Sequence, residues 1–422
     1  EEAFRDIQAR SSAYLDDPEL TQYVSDLGRR LVLASTESRQ DFEFFVIRDT
    51  TVNAFAMPGG FVGVHTGLIL TAQSESELAS VLAHEVSHVT QHHIARMVSR
   101  DSQITTVGIA AAVLALIAAR SNPDMAQAAL ASATAGSIQA QLDFSREFER
   151  EADRLGFQLL RDAGFDVHAM PTFFERLQRS TRLYDNTLPA YLRTHPLTVE
   201  RIADMQNRAQ SVPYRQVADS VDFHFVRARL RSEQGQPRDA ALAADLQVRE
   251  KRYASEAAAR YGLVLALVRL RDFPRAEREL SELRKVSPRH PMIELLAARL
   301  RSARGDATGA RELLQSARGV FPNYRPIGYA LTEAYQAIGQ HRAALDEIDA
   351  MMRADPRDAR LFGLKAKSLA VVGTQQQLHQ ALAEQYYLSG SLNAAIEQLQ
   401  IAQKLGGGDF YQQSVLDARL RQ

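Results

Sequence analysis

Ser76-Glu77-Leu78-Ala79-Ser80-Val81-Leu82-Ala83-His84-Glu85-Val86-Ser87-His88 is the stretch on which the reading turns. It is rich in good helix formers, and Val89 to Met97 carries on without Gly or Pro, so one helix is expected across the segment. His84 and His88 lie four apart and share a helical face. Two imidazoles stacked that way can grip one Zn²⁺, with Glu85 beside them to handle a water proton. The plainer reading is a pair of surface histidines on an amphipathic helix. His92 and His93 show that histidine is not confined to the motif here. Those two are read as having no metal role, and His65, His168, His224, His290, His341 and His379 as surface or satisfied histidines.

A third ligand decides between the two. The chain has no cysteine, which excludes thiolate ligands, disulfides and a cysteine nucleophile, so any metal must be held by His and carboxylate. Ser145 to Gly164, SREFEREADRLGFQLLRDAG, reads as a strong helix with Gly164 as its C-cap. Glu149 and Asp153 share a face of it, whereas Glu151 points away by about 160°. Periodicity therefore favours Glu149 as third ligand and Asp153 as the carboxylate that orients an imidazole. Glu147 and Glu151 read as solvated charge, and Glu151 stays open as the alternative ligand.

The 422 residues suffice for two or three domains. A hydrophobic content of 45%, a charged content of 24% and a net charge of -1 describe an ordinary globular chain with no field for nucleic acid. The absence of cysteine suits an oxidising compartment such as the periplasm. A start at Glu1 fits a removed signal peptide, and equally a trimmed chain. Residues 104–119, ITTVGIAAAVLALIAA, number 16 and fall short of a membrane span. With the Ala/Ser/Gln-rich stretch 125–142 they suggest a helical hairpin, 104–142, joined at Ser121-Asn122-Pro123-Asp124. It is expected to pack near the cleft, with contact to a membrane surface or a hydrophobic substrate as the alternative.

Two grammars divide the chain. Residues 1–212 mix helix and strand. Asp17-Pro18-Glu19 opens a helix to about Ala34, 41–48 (DFEFFVIR) reads as a strand, and Pro58-Gly59-Gly60 is a turn between short strands. That pair would place an edge strand near the metal helix, ready to hold an extended peptide. From about Val221 alanine, leucine, arginine and glutamine take over. Pro288, Pro322 and Pro356 are spaced by 34, as are Gly305, Gly339 and Gly373, and Ala276, Ala310 and Ala344. A turn glycine, a small residue in the second helix and a closing proline at this period form the tetratricopeptide pattern. Gly235 with Ala240 or Ala241, and Gly390 with Ala395, suggest looser end units. The expected architecture is mostly α: an α+β zincin-type domain (1–212), helical with a small sheet, then an α-solenoid of four to six helix pairs (221–422). Ser211 to Ser220 would join them.

The histidine motif followed by Glu149-Arg150-Glu151-Ala152-Asp153 resembles the M48 family of zinc metallopeptidases. Asn53-Ala54-Phe55 before the glycine turn and His195-Pro196-Leu197-Thr198-Val199-Glu200-Arg201 resemble it too, so that the likeness spans roughly 50–205. It implies one Zn²⁺ on His84, His88 and Glu149, with Glu85 as general base and acid. It also implies that His195 and Arg201 line the cleft as donors to the tetrahedral oxyanion. With a repeat domain and no spans, the chain resembles the periplasmic β-barrel assembly-enhancing group of that family. This implies a self-inhibited endopeptidase whose His195 can sit on the zinc as a fourth ligand. Misfolded or stalled outer-membrane proteins would be its substrates, and the repeats would dock on the barrel-assembly machinery. Membrane contact would be peripheral, through 104–142. The competing reading is a chaperone or adaptor with a mainly latent protease.

Overall fold

The structure, a computed structural model, describes residues 4, 7–8, 11–35, 41–100, 146–183, 190–406 and 410–421. The expected hairpin at 104–142 lies outside the described residues. In the main, the chain divides into one compact unit over Arg10–Leu230 and a second over Arg231–Gln422. Among the described residues no helix is long and apolar enough to cross a membrane.

Helix α1, Pro18–Leu33, starts where Asp17 accepts hydrogen bonds from the Glu19 and Leu20 amides. Its stripe of Leu20, Val24, Leu27 and Leu31 is buried, as the spacing predicts. Strands β1 (Glu43–Ile47), β2 (Ala54–Met57) and β3 (Phe61–His65) form a sheet of order β1-β3-β2. β1 runs parallel to β3, while β2 is antiparallel to it and stands at an edge. Gly59 and Gly60, at φ 95° and 89°, make the β2–β3 turn in backbone that favours glycine.

After the short α2 (Thr66–Thr71) comes α3, Glu75–Thr90, capped by Ser74 on the Glu77 amide. Every residue of α3 from Glu75 to Val89 is buried. It packs against α1, against β2, and against two helices that follow, α5 (Arg146–Asp162) and α6 (Ala169–Leu183). α3 and α5 approach so closely at Gly156 that a Cβ there would lie 3.1 Å from the His84 amide nitrogen and 3.2 Å from the Ala83 carbonyl carbon.

The single helix expected through Met97 is instead two. α3 stops at Thr90, His92 adopts φ 51°, and α4, His93–Arg100, sets off anew. Left-handed backbone is uncommon outside glycine, and its cause here is where it sends His93, described below. Two further helices, α7 (Ala190–Thr194) and α8 (Val199–Gln210), carry the His-Pro segment, and Thr198 caps α8 on the Arg201 amide. The start of α9 (Val221–Ser232) is tied to the same unit. Ser220 Oγ donates to Glu75 at 2.6 Å, the Glu75 amide donates to Asp219 at 2.7 Å, and Arg229 pairs with Asp17 and Glu19.

The second unit is all helical. Its helices are α10 (Pro237–Arg249), α11 (Glu256–Leu270), α12 (Phe273–Val286), α13 (Pro291–Ala303), α14 (Ala307–Val320) and α15 (Arg325–Ala337). They continue as α16 (His341–Met352), α17 (Ala359–Val372), α18 (Gln375–Leu388), α19 (Leu392–Leu405) and α20 (Phe410–Arg421). From α11 onward each packs on the one before, and α11, α13, α15 and α17 also touch in sequence, as stacked repeats must to bury their apolar faces. Ala276, Ala310 and Ala344 are each fully buried where a larger side chain would hold neighbours apart. Gly305 and Gly339 turn the chain at φ 88° and 75°. Gly373, the third member of that register, does not: its φ is -99°. The left-handed turn reappears instead at Gly390 (φ 80°), so the strict period ends with α17.

Candidate metal centre

Four side chains from three parts of the first unit meet at one point. His84 and His88 come from α3, Glu149 from the first turn of α5, and His195 from the segment after α7. One ligand atom from each lies within 4.8 Å of all the others. His84 Nε2 is 3.0 Å from His88 Nε2 and 3.2 Å from His195 Nδ1. Glu149 Oε1 is 3.0 Å from His195 Nδ1 and 3.4 Å from His88 Nε2, and its Oε2 is 3.5 Å from His84 Nε2.

These separations test whether a metal fits. Zinc bonds nitrogen and oxygen at about 2.0–2.2 Å in a tetrahedron, whose edge is then about 3.3–3.6 Å. The five separations above, 3.0–3.5 Å, are close to that edge. Three imidazoles and a carboxylate, with no thiolate, are a donor set that zinc accepts. The residues fit the group.

Around this cluster the partners are specific. His84 Nδ1 is 3.0 Å from Asp153 Oδ1, one turn beyond Glu149 on α5. Arg201 grips Asp153 with both arms, Nε at 2.7 Å and Nη2 at 2.8 Å, while Nη1 reaches Glu149 Oε2 at 2.7 Å and the Pro196 carbonyl at 2.7 Å. Expected as an oxyanion donor, Arg201 is instead engaged with the two carboxylates of α5. Its geometry suits positioning of the cluster. His195 Nε2 lies 3.4 Å from Glu85 Oε1, and the Tyr191 ring stacks on His195 at 4.8 Å. Glu85 is wholly buried, and the Ala56 backbone on the edge strand β2 favours its charged form slightly.

The electrostatics follow from burial working against close charges. Burial penalises the charged form of His84, yet Asp153 and Glu149 outweigh it and raise its pKa to about 9. Burial holds His88 well below the ordinary value. Burial would lift Glu149, but His195, His84 and His88 hold it well below the usual carboxylate range. Burial also opposes ionisation of Asp153, and Arg201 overrides it downward. Glu85 goes the other way: its burial is the largest influence and its pKa is raised.

Two expectations change here. Glu151, expected to be solvated, is only 26% exposed and accepts from Arg96 Nη1 at 2.8 Å and His93 Nε2 at 3.1 Å. His93, set aside from the sequence, is fully buried, with Nδ1 only 2.8 Å from His88 Nδ1. Five residues from His88 is no helical interval, so only the break at His92 could have brought it back. His92 itself is exposed.

The sequence profile described as Peptidase family M48 matches residues 18–209, and a Tetratricopeptide repeat profile matches 302–368. The Beta-barrel assembly-enhancing protease of Escherichia coli (strain K12) is 36% identical over 429 residues, covering 98% of this chain and 85% of that one. A relative from Vibrio cholerae is 41% identical over 289 residues, covering 68% of this chain but only 60% of its own length. The Mitochondrial metalloendopeptidase OMA1 of Schizosaccharomyces pombe is 34% identical over 187 residues, 44% of this chain and 52% of that one.

Proposed function

The chain belongs to peptidase family M48, and from that premise we propose that it is a periplasmic zinc endopeptidase in the quality control and assembly of outer-membrane β-barrel proteins. The observation that carries the chemistry is the convergence of His84, His88, Glu149 and His195 on one point. His84, His88 and Glu149 would hold the zinc. Bound there, it supplies a Lewis acid that lowers the pKa of a water towards about 7 and polarises the scissile carbonyl. Glu85 would accept a proton from the attacking water and deliver it to the leaving amine. Asp153 fixes the ring of His84, and Arg201 fixes Asp153 and Glu149 together. The edge strand β2 offers backbone groups to an extended substrate alongside Glu85.

His195 favours a latent resting state. Its Nδ1 lies 3.0 Å from Glu149 Oε1 and 3.2 Å from His84 Nε2, so it would serve as a fourth donor to a bound ion, and cleavage would then require that ring to leave. Once displaced, it is within reach to donate to the developing oxyanion. The same arrangement favours a second reading, in which the chain serves mainly as a chaperone or adaptor and cleaves rarely. In both readings the repeats recruit misassembled outer-membrane proteins and dock on the barrel-assembly machinery, and 104–142 is the segment for peripheral membrane contact.

Glu85→Gln tests the reading. Cleavage of an unfolded outer-membrane protein should fall by about 10²–10⁴ while zinc content stays at one per chain. Undiminished cleavage would end the proposed mechanism.

A further inference from the structure

The His88 ring is backed differently from its partner. A histidine can present a lone pair at Nε2 only when its proton sits on Nδ1, and that N–H then needs an acceptor. For His84 the group beside Nδ1 is a carboxylate, Asp153, at 3.0 Å. For His88 it is another imidazole, His93 Nδ1 at 2.8 Å. Two nitrogens this close must be one donor and one acceptor. If His88 donates, His93 carries its own proton on Nε2, and that nitrogen is 3.1 Å from Glu151 Oε2. Glu151 can only accept, and it also takes Arg96 Nη1 at 2.8 Å. The carboxylate at the far end therefore sets the tautomer of each ring before it.

The backbone is arranged to make this contact. Left-handed φ at His92 is uncommon outside glycine and persists only where the surroundings demand it. It turns α4 so that His93 lies flat on Phe148, centroids 4.7 Å apart and planes 16° from parallel, with Arg96 4.6 Å above the same ring. Phe148 is the residue before Glu149, and Glu151 follows two later. His93 thus joins the histidine-bearing and carboxylate-bearing sides of the centre.

We propose that His93, backed by Glu151, is a positioning residue for the metal: it accepts the Nδ1 proton of His88 and so keeps the His88 Nε2 lone pair aimed into the cluster. This rests on the reading of His84, His88 and Glu149 as metal ligands. The test is zinc affinity of the full chain, measured by competition with a chromophoric chelator and without substrate. His93→Phe keeps the ring stack but cannot accept a proton, and should bind zinc about 10–100-fold more weakly. His93→Gln restores an acceptor and should stay within about threefold of the parent. Equal affinity in His93→Phe and the parent would overturn the proposal, and so would equal losses in His93→Phe and His93→Gln. Glu151→Leu removes the acceptor at the partly exposed end and keeps the test open should His93→Phe not fold. It should weaken zinc severalfold, and no change would overturn the relay. His88→Ala is the control: if it keeps full zinc affinity the metal reading itself fails, whereas loss there without loss in His93→Phe sinks this inference alone.

Discussion

The two units bury different things. The first places His84, Glu85, His88, His93, Glu149, Asp153, His195 and Arg201 in its interior, all nearly inaccessible. The second buries mainly apolar residues, in clusters such as Leu295, Leu314, Ile327 and Leu331, with fully buried alanines between its helices. Burying charge is costly unless each group meets a partner, and the first unit meets that demand by ion pairing and a string of hydrogen bonds. Its stability is consequently tied to chemistry, while that of the second comes from nearest-neighbour packing. A substitution should therefore reveal which unit it lies in by whether metal and activity follow stability.

The sharpest break in that contrast is at the ligands. His84→Ala or His88→Ala should abolish both bound zinc, read by metal analysis, and peptide cleavage, with the repeats still folded. His195→Ala should act oppositely and raise cleavage of an unfolded substrate, because it clears the fourth donor place. Unchanged or lower cleavage with zinc retained would remove the latch. Next comes the buried pair behind the ligands. Arg201→Leu leaves Asp153 and Glu149 without their cation and should destabilise the first unit by about 3–5 kcal/mol in thermal unfolding of the zinc-free chain. Ala310→Leu overfills a fully buried site between repeat helices and should cost about 1–3 kcal/mol with zinc affinity untouched. Altered zinc affinity there would show that the two units are not energetically separate.

Proton linkage gives the mildest probe. With its pKa raised to about 9, His84 carries a proton in the metal-free chain at neutral pH that zinc must displace. Zinc affinity should therefore climb by up to about tenfold per pH unit approaching 9. The same proton contributes stability to the metal-free fold that is complete below the unfolded pKa near 6.5 and is lost as pH rises through about 9. Titration by calorimetry, with proton release read from the buffer dependence, checks both signs.

Much of this contrast was legible in the sequence. Helical spacing brought His84 to His88 and Glu149 to Asp153, since both pairs sit on one face of one helix. Asp17 as a cap, the strand within 41–48 and the glycine turn at 59–60 are local features and came out as local rules predict. The repeat was readable because a period repeats its own signal. What escaped lies where one part of the chain answers to another. His93 could not be assigned because its role depends on a left-handed residue with no glycine to announce it. Arg201 looked like a cleft residue until two carboxylates on α5 claimed its guanidinium. Glu151 looked solvated because its partners, Arg96 and His93, come from a separate helix. Gly373 shared a spacing with Gly305 and Gly339 but not their backbone, because the strict register ends there.

Gly156 carries a consequence of its own. The Ala83–His84 backbone lies against the place where a side chain at 156 would begin, so one absent methyl sets how near the carboxylate-bearing helix can come to the histidine-bearing one. Even alanine would wedge them apart by a few tenths of an ångström, a tenth or so of a metal–ligand bond. The coordination distance is thus gauged by a hydrogen atom seven residues downstream of Glu149, and a descendant of this chain could lose its metal without altering a single ligand.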